Sequence, residues 1–308
     1  MPSLLERLPS GSRIAVIRLR SLGDCVLTTP ALALLKEYRP DLRLAVVVED
    51  RFRSVFGGNS DIDEILAPNI DEFRRWRARL ALNLHGGTRS MVLTAASGAG
   101  IRAGFGHHRY SLLYSAKIPR AQDILGEDRP VHTAEHIASA MLWMGVPRTA
   151  IPRAKLVVGE TAPFSHGSVR GNAVLHPFAS EPGKTWPASR FIEAAEFLKA
   201  NGQEPVFIAG PGDDAGAFQS FRVLHSAPLE DVKSLIAGAQ IFIGNDSGPA
   251  HIAAAFGVPV IAIFGASNPV TWAPWRTEAR VLTSRQGIGA IETAEVIAAI
   301  DSLKKVRA

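Results

Sequence analysis

The chain has 308 residues and a formal net charge of +5, and because one hydrophobic core rarely supports this length, we expect two domains. Its hydrophobic content of 46% is that of an ordinary globular protein, no apolar run approaches the ~20 residues that span a bilayer, and residues 1–13 lack the apolar core of a signal peptide, so we expect a cytoplasmic protein. The single cysteine, Cys25, cannot form a disulfide within the chain.

The first half of the chain alternates between strands and helices, as is typical of a parallel sheet. We predict strands at residues 13–19, 42–48, 61–66, 80–84 and 101–105, and helices at residues 25–40 and 132–145. The turn at residues 20–24 joins the first strand to the first helix, in which Pro30 is expected to produce a kink. Asp24, at the start of that helix, is either an N-cap carboxylate or a catalytic group.

The second half repeats the alternation after residues 159–172, a segment rich in Gly, Ser and Pro that we predict to be a linker. We predict strands at residues 173–176, 205–209, 221–223, 240–243, 258–264 and 280–282, and helices at residues 188–201, 229–238, 249–257 and 293–306. The alternation in both halves predicts two parallel-sheet α/β domains that face one another across a cleft.

Residues 239–269 form the most informative strand–helix–strand unit. The helix is predicted to begin at Pro249, because the first turn of a helix has no use for the N–H that proline lacks. The amides of that turn and the positive helix end favour a bound phosphate, with Asp246, Ser247 and His251 around it. The same residues are equally consistent with a helix cap and a hydrogen-bonded core histidine.

The positive charge is concentrated in the first half. Residues 1–155 carry 22 Lys and Arg against 15 Asp and Glu, a net charge of +7, whereas residues 156–308 have a net charge of −2. This asymmetry favours an acidic partner, which would be a phosphorylated or carboxylated substrate, an anionic membrane surface or nucleic acid. We expect no nucleic acid, because the sequence has no basic helix with interleaved aromatic residues. Solvated arginines without any partner are the alternative.

Four segments together resemble the motifs of glycosyltransferase family nine, the ADP-heptose:lipopolysaccharide heptosyltransferases. They are IRLRSLGDCVLTTPALALLK, HPFASEPGKTWPASRF, VFIAGPGDD and FIGNDSGPAHIAAAFGVPVIAIFGASNPVTWAPW, in the family's order and from both halves. The resemblance implies the GT-B fold, with a Rossmann-like acceptor-binding domain at residues 1–160 and a Rossmann-like nucleotide-sugar-binding domain at residues 161–292. It also implies that the last helix, in residues 293–308, packs back on the N-terminal domain.

The resemblance further implies an inverting, metal-independent transfer of a heptose from ADP-heptose, without a cofactor. The acceptor would be an anionic glycolipid of the lipopolysaccharide inner core, Kdo-lipid A or heptosyl-Kdo-lipid A. The expected partners are therefore a nucleotide sugar and this glycolipid, with peripheral contact at the inner face of the cytoplasmic membrane. No His, Cys, Asp or Glu cluster has zinc-like spacing, so we also predict no structural metal.

Inverting transfer requires a base for the acceptor hydroxyl and a group that neutralises the departing diphosphate. By its position in the first motif, Asp24 matches the base of the family. Lys184 matches the lysine that contacts the diphosphate, and Asp246 matches the acidic residue that orients the donor through heptose hydroxyls.

The other donor residues also follow from the motifs. Ser247, Gly248 and His251 match the residues at the phosphate end of the donor site. Asp213 or Asp214, after Gly-Pro-Gly, would accept hydrogen bonds from ribose hydroxyls, as acidic residues near nucleotide clefts do. No residue indicates by itself that the donor carries adenine or a heptose, so the identity of the donor comes from the resemblance alone.

The predicted acceptor-binding residues lie in loops at the strand ends of the basic half. They are Arg20, Ser21, Arg89 and Arg109, with His107 and His108 beside them. Arg20 is the one that we expect to matter most. Arg20 and Asn83 also depart from the family, which commonly has a small polar residue and an Asp at these positions. Both lie on the acceptor side. These departures therefore weaken the prediction of which acceptor is used more than the prediction that a sugar is transferred.

Two other functions stay open. Folds of the GT-B type also host non-hydrolysing epimerases of nucleotide sugars, which would show no dependence on an acceptor. A non-catalytic nucleotide-sugar-binding protein would tolerate the loss of Asp24, and the presence of that residue in the matching motif argues against this alternative.

Overall fold

The computed structural model describes residues 2–159 and 172–305 and comprises two compact units, Met1–Val157 and Val158–Ala308. Each unit contains its own parallel β-sheet. The predicted linker falls largely on residues 160–171, which lie outside the described residues, and so does the predicted domain boundary between residues 160 and 161.

The first unit alternates strands with helices, as its sequence pattern predicts. Its strands are β1 (Arg13–Ile17), β2 (Arg43–Val47), β3 (Glu64–Leu66), β4 (Leu80–Asn83), β5 (Ile101–Phe105) and β6 (Ala116–Ile118). Its helices are α1 (Leu22–Tyr38), α2 (Arg53–Phe56), α3 (Ile70–Trp76), α4 (Thr88–Ala96), α5 (Ala121–Leu125) and α6 (Thr133–Met144). The central strands are continuous apolar runs, which parallel strands need because both of their faces are covered.

Among the described residues, the first sheet has six parallel strands in the order β3-β2-β1-β4-β5-β6. Ile17 of β1 pairs with Asn83 of β4, and Asn83 pairs with Gly104 of β5. The carboxyl ends of these three strands therefore lie side by side. Because open α/β sheets bind ligands outside the carboxyl ends of their strands, the segments that follow β1, β4 and β5 are where a site is expected.

Helix α1 begins at Leu22 rather than at Cys25, where the sequence analysis started it. Ser21 is the N-cap residue, and both its hydroxyl and its backbone N–H donate to the Asp24 carboxylate. Asp24 is therefore the third residue of the helix and not its N-cap. A serine followed three residues later by an acidic residue forms a capping box, which satisfies the first amides of a helix. Pro30 lies inside the helix, as predicted.

The second unit has the same construction. Its strands are β7 (Asn172–His176), β8 (Glu204–Ala209), β9 (Arg222–His225), β10 (Ile241–Asn245), β11 (Val260–Phe264) and β12 (Ala279–Thr283). Its helices are α7 (Ala188–Ala200), α8 (Leu229–Ala237), α9 (Gly248–Ala255), α10 (Pro269–Trp272) and α11 (Thr293–Lys305).

Within the described residues, the second sheet also has six parallel strands, in the order β12-β11-β10-β7-β8-β9. Both β7 and β10 are buried throughout, and Gly244 near the end of β10 pairs with His176 at the end of β7. Asn245 of β10 pairs with Ile263 of β11. The loops after β7, β10 and β11 consequently meet at one edge of this sheet.

The last helix, α11, belongs to the second unit. Val296, Ala299, Ile300 and Leu303 of α11 are buried in the hydrophobic core of the second unit, together with residues of α7 and of the second sheet. The helix contacts α7, β11 and β12. It therefore contributes to the hydrophobic core of the second unit, and its packing on the N-terminal domain stays a prediction. Its amphipathic pattern requires a buried face, but such a pattern does not specify the partner.

Five elements of the first unit were not predicted from the sequence: α2, α3, α4, α5 and β6. Helix α4 follows Gly87, and α5 and β6 contain five and three residues. Elements this short carry too few residues for a hydrophobic period to stand out from the neighbouring loops.

Candidate active site

The predicted base, Asp24, lies after the carboxyl end of β1, in the first turn of α1. Ser21 Oγ donates a hydrogen bond to Asp24 Oδ2 at 2.8 Å, and Arg18 Nη1 donates one to Oδ1 at 3.1 Å. The Asp24 side chain keeps 23% of its surface exposed, whereas that of Arg18 keeps only 7%. Asp24 therefore presents a carboxylate that is fixed in orientation and that a hydroxyl group can still reach, as a general base requires.

Arg18, which the sequence analysis did not single out, supplies a buried positive charge beneath this carboxylate. Burial lowers the pKa of the Arg18 guanidinium, and the negative charge of Asp24 opposes that shift. Removing one partner of such a pair leaves the other charge buried and uncompensated. A signal was available in the sequence, because an arginine at the end of an apolar run needs a carboxylate or another acceptor close by.

The predicted acceptor-binding residues follow three neighbouring strands of the first sheet. Arg20 and Ser21 follow β1, Arg89 follows β4, and Arg109 follows β5. All three arginines are exposed. Arg89 Nη1 lies 3.6 Å from Glu49 Oε1, and the Arg109 guanidinium lies 5.4 Å from the centre of the Tyr110 ring. The structure therefore brings these residues to the sheet edge that also carries Asp24, where a ligand can reach their charges.

Three histidine rings pack around Phe105 at the carboxyl end of β5. His136 of α6 stacks on Phe105 with ring centroids 4.2 Å apart, and His107 lies 5.7 Å from His136. His108 meets His107 at 5.2 Å, and its Nδ1 lies 2.8 Å from the Tyr114 hydroxyl oxygen. We call His107, His108 and His136 the histidine cluster. The sequence pattern predicts a basic loop for the first two, but it does not indicate His136, because a distant helix brings that residue to the cluster.

The histidine cluster carries no charge at neutral pH. The pKa values of His108 and His136 are lowered to about 4, mainly by burial and in smaller part by neighbouring histidines and the charge of Arg18. Burial also lowers the pKa of His107, with a contribution from the charge of Arg120. The positive charges of this region at pH 7 are therefore those of its arginines.

Asn83 ends β4 and organises the turn that follows. Its Oδ1 accepts hydrogen bonds from the backbone N–H groups of His85 and Gly86, at 3.0 and 3.1 Å. Its Nδ2 donates to Ser90 Oγ and Thr94 Oγ1, each at 3.1 Å. Both hydroxyls already donate to backbone carbonyls, so they can only accept from residue 83, and an aspartate would offer them no donor. The amide of Asn83 therefore suits this site better than a carboxylate would.

In the second unit, α9 begins at Gly248, with Ser247 as its N-cap residue. Pro249 is the second residue of the helix and not the first, as the sequence analysis had it. Ser247 Oγ makes no capping hydrogen bond and lies 3.0 Å from Nδ1 of His176, at the end of β7. Burial lowers the pKa of His176 to about 4, so this imidazole is neutral at pH 7. The Ser247 hydroxyl is thus held by a residue that the sequence analysis missed.

Asp246 and Lys184 come from different loops of the same sheet edge. Asp246 follows β10, and Lys184 ends a single 3₁₀ turn in the loop after β7. Burial raises the pKa of Asp246, whereas Ser267 and the positive charge of Lys184 lower it. Lys184 Nζ also lies 3.4 Å from Glu181 Oε1, whose side chain is 62% exposed. Since exposed ion pairs are weak, Lys184 stays available to an anionic ligand beside Asp246.

Asn245 fixes the loop that carries Lys184. Its Oδ1 accepts from the backbone N–H of Trp186 at 3.0 Å, and its Nδ2 donates to the carbonyl of Pro177 at 2.8 Å. The buried indole of Trp186 donates to the carbonyl of Ile291 at 2.8 Å. Both ends of the loop are therefore attached to the core of the second unit, which positions Lys184.

Gly265, after β11, allows this loop to approach the sheet. The Gly183 carbonyl accepts a hydrogen bond from the backbone N–H of Ala266 at 3.1 Å. A Cβ atom at Gly265 would overlap the Gly183 carbonyl oxygen. Because Gly183 directly precedes Lys184, the absence of a side chain at Gly265 determines where the lysine backbone lies.

Asp213 and Asp214 follow β8 and have different surroundings. Asp213 Oδ2 accepts from the backbone N–H of Gly210 at 2.7 Å, and Asp214 Oδ1 accepts from that of Gly216 at 2.9 Å. Asp213 is partly buried, and its charge raises the pKa of His176, whereas Asp214 is exposed. Of the two, Asp213 is therefore the one that lies towards the end of β7.

His251 has the most core-like surroundings of the predicted donor residues. It is buried in α9, and its ring meets that of Trp272 nearly edge-on at 6.3 Å. This position agrees with the core-histidine alternative that the sequence left open.

Within the described residues, no three His, Cys, Asp or Glu side chains are arranged to hold a metal ion. In the same part of the chain, no helix is both long and apolar enough to cross a bilayer.

Two units, each built on a six-stranded parallel sheet covered by helices, make up a fold of the GT-B class, which solved heptosyltransferases share. The model of glycosyltransferase family 9 (heptosyltransferase) matches residues 70–293, and the chain belongs to this family. The family and the fold class predicted from the sequence motifs are thus confirmed.

Known relatives span nearly the whole chain. The lipopolysaccharide heptosyltransferase 3 of Escherichia coli is 25% identical over 338 residues, which cover 92% of this chain and 97% of the relative. A solved glycosyltransferase family 9 structure from Veillonella parvula has a TM-score of 0.83 at 24% identity, covering 96% of this chain and 97% of that one. The E. coli ADP-heptose lps heptosyltransferase II has a TM-score of 0.80 at 21% identity, covering 96% and 100%.

Proposed function

We propose that the protein transfers a heptose from ADP-heptose to an anionic acceptor of the lipopolysaccharide inner core, Kdo-lipid A or heptosyl-Kdo-lipid A, with inversion and without a metal. Family membership supports heptose transfer, and the name of the E. coli relative supports lipopolysaccharide as the acceptor class. The observation that carries the proposal is the fixed but reachable carboxylate of Asp24, because transfer to a hydroxyl group needs such a base.

In this reaction, Asp24 takes the proton of the acceptor hydroxyl while the hydroxyl oxygen attacks the anomeric carbon of the heptose. The bond from that carbon to the diphosphate breaks, the configuration inverts, and ADP leaves with the electron pair. Arg18 holds the carboxylate in place through its hydrogen bond to Oδ1. Once Asp24 is protonated, the buried guanidinium lacks a full counter-charge, which favours release of the proton before the next cycle.

The second unit supplies the leaving-group side. Lys184 and the N-terminal amides of α9 would neutralise the diphosphate, so that no metal is needed. Asp246 would orient the donor through heptose hydroxyls, and Asp213 is the residue that we favour for the ribose. Asp213 is preferred because it lies closer to His176, and therefore to Ser247, than Asp214 does.

The acceptor is proposed to dock on the basic first unit. The net charge of +7 over residues 1–155 and the exposed arginines at the carboxyl edge of the first sheet suit a partner that carries carboxylates and phosphates. Such a glycolipid lies in the membrane, so peripheral contact with the inner face of the cytoplasmic membrane is part of the proposal.

Nucleotide binding tests the donor half of this proposal. Calorimetric titration should show that ADP binds more tightly than UDP or GDP and that a chelator leaves the affinity unchanged. Equal affinity for the three nucleotides, or loss of ADP binding on chelation, would contradict the proposal. The epimerase alternative differs in that the sugar nucleotide would be converted without any acceptor.

A further inference from the structure

The histidine cluster takes no part in the mechanism above, yet it lies at the same edge of the first sheet as the base. β5 leads into His107 and His108 and pairs with β4, and β4 pairs with β1, which leads to Arg18 and Asp24. His85, just after β4, joins the same region. It is partly buried and hydrogen-bonds to the backbone of Arg20.

The histidine cluster is not a sealed packing arrangement. His107 is exposed, and His108 and His136 are partly exposed. The positive charge of Arg18 acts on His85, His108 and His136. Its Nε has no hydrogen-bond partner among the described residues, although the side chain is 93% buried. A buried guanidinium N–H without an acceptor, beside imidazoles that a ligand can reach, is a setting that attracts an anion.

We propose that the histidine cluster and His85 form a proton-linked binding site for an anionic group of the acceptor, a sugar carboxylate or a phosphate. This rests on the proposed function only for the identity of the acceptor. The anion occupies the site next to Asp24, and its arrival is accompanied by the uptake of a proton by the imidazoles.

The sign of the linkage follows from the charges that face these imidazoles. Arg18 acts on His85, His108 and His136, and Arg120 acts on His107, and both oppose protonation. Asp24, which acts on His85 and His136, favours it. The Tyr114 hydroxyl that contacts His108 is neutral, because burial raises its pKa well above the usual value.

The free site is therefore uncharged at pH 7. An anion within hydrogen-bond reach raises the pKa of the nearest imidazole by roughly 1 to 3 units. The occupied site then binds more protons than the free one, so the affinity for the anion increases as the pH falls through the pKa of the occupied state.

Imidazole C–H resonances, followed by NMR from pH 8 to pH 4, test this directly with D-glucuronate as the probe. Its carboxylate stays mostly ionised over this range, D-glucose is the neutral control, and inorganic phosphate is a second anion. We expect the His136 and His108 resonances to titrate at a pKa at least one unit higher with an anion than without. A response to glucuronate alone assigns the site to a carboxylate, and a response to phosphate alone assigns it to a phosphate. Unchanged titration, or an equal effect of D-glucose, would overturn the proposal.

Variants provide the second arm. His136→Gln keeps the size and polarity of the side chain but cannot take up a proton, so glucuronate should bind several-fold more weakly at pH 6, with less dependence on pH. Lys117→Gln, an exposed cation on the neighbouring strand β6, is the matched control and should retain both properties. Wild-type affinity of His136→Gln for both anions at pH 6 would also overturn the proposal. Probe binding needs neither donor nor transfer, so this result is independent of the transferase assay.

Discussion

Asp24 and Lys184 should affect different kinetic constants. If Lys184 contacts the diphosphate as proposed, it does so in the ground state and in the transition state alike, so Lys184→Ala should raise the donor KM, by roughly tenfold for one charge-assisted contact. If Asp24 is the base as proposed, it acts only when the proton moves, so Asp24→Asn should lower kcat by about 10²- to 10⁴-fold with little change in ADP affinity. Steady-state kinetics together with ADP calorimetry measure both. An Asp24→Asn variant with most of its activity intact would remove Asp24 from the mechanism.

His176 should act through Ser247. His176→Asn keeps a donor near the position of Nδ1, whereas His176→Leu removes the hydrogen bond to the Ser247 hydroxyl. If this bond directs the hydroxyl towards the diphosphate, the Leu variant should lose several-fold in ADP affinity, as Ser247→Ala should, and the Asn variant should be less affected. Combining His176→Leu with Ser247→Ala should add little to either change. Additive losses would show that the two residues act independently.

For single residues, the sequence was informative where a recognisable motif itself suggests a role for one of its residues. Asp24, Lys184 and Asp246 were selected in this way, and their functions stay predictions. Arg18 and His176 could not be selected, because their significance depends on partners that the fold brings to them. Helix boundaries could be predicted only approximately. The sequence located the turn before α9, but the helix begins at Gly248 and not at Pro249.

The loop that carries Lys184 offers a test at the level of elements. Gly265→Ala should displace the backbone at Gly183 and raise the donor KM, because the new methyl group would overlap the Gly183 carbonyl oxygen. Gly289→Ala is the matched control, since a Cβ atom there meets no other atom within 4 Å. The donor KM should be higher for Gly265→Ala than for Gly289→Ala, while the melting temperatures of the two variants should be comparable. Equal kinetics would mean that the approach of this loop to β11 does not position Lys184.

Strands were easier to predict than helix positions and helix partners. Buried parallel strands are apolar runs with few alternatives, so β1, β2 and β10 could be located from composition alone. The start of α1 was misplaced because its cap is a serine whose partner lies within the helix. The amphipathic pattern of α11 requires a buried face without saying which core receives it, and the structure places that face in the core of the second unit.

For the whole molecule, the alternation of strands and helices predicted two parallel-sheet units, and the sequence motifs predicted the family. The side-chain networks of each unit could not be predicted. The histidine cluster, for example, joins β5 to α6, and Asn245 joins β10 to the loop after β7. Such contacts depend on strand order and register, which a single sequence does not encode in any local pattern.

Stability should fall as the pH decreases from 7 to 5. The pKa values of His108, His136 and His176 are about 4 in the folded protein and about 6.5 in the unfolded chain. In this interval the unfolded chain therefore binds more protons, which favours unfolding at the lower pH. For the buried His176 alone, the loss is about 1–2 kcal/mol. Asp246, whose pKa is raised by burial, acts in the opposite direction.

Calorimetric melting at pH 7 and pH 5 measures this effect. The Tm should be lower at pH 5, and His176→Asn should reduce the difference. A Tm that is equal or higher at pH 5 would show that these histidines are not held neutral in the folded protein.

Acceptor-dependent transfer is the most direct test of the proposed activity. The protein is incubated with ADP-heptose and Kdo-lipid A, with and without a chelator, and the glycolipid and the released ADP are quantified by mass spectrometry. We expect the glycolipid to gain one heptose, ADP to appear only when the acceptor is present, and the chelator to have no effect. Asp24→Asn should abolish both products. Conversion of the sugar nucleotide without an acceptor, or full transfer by Asp24→Asn, would contradict the assignment of an acceptor-dependent heptosyltransferase that uses Asp24 as its base.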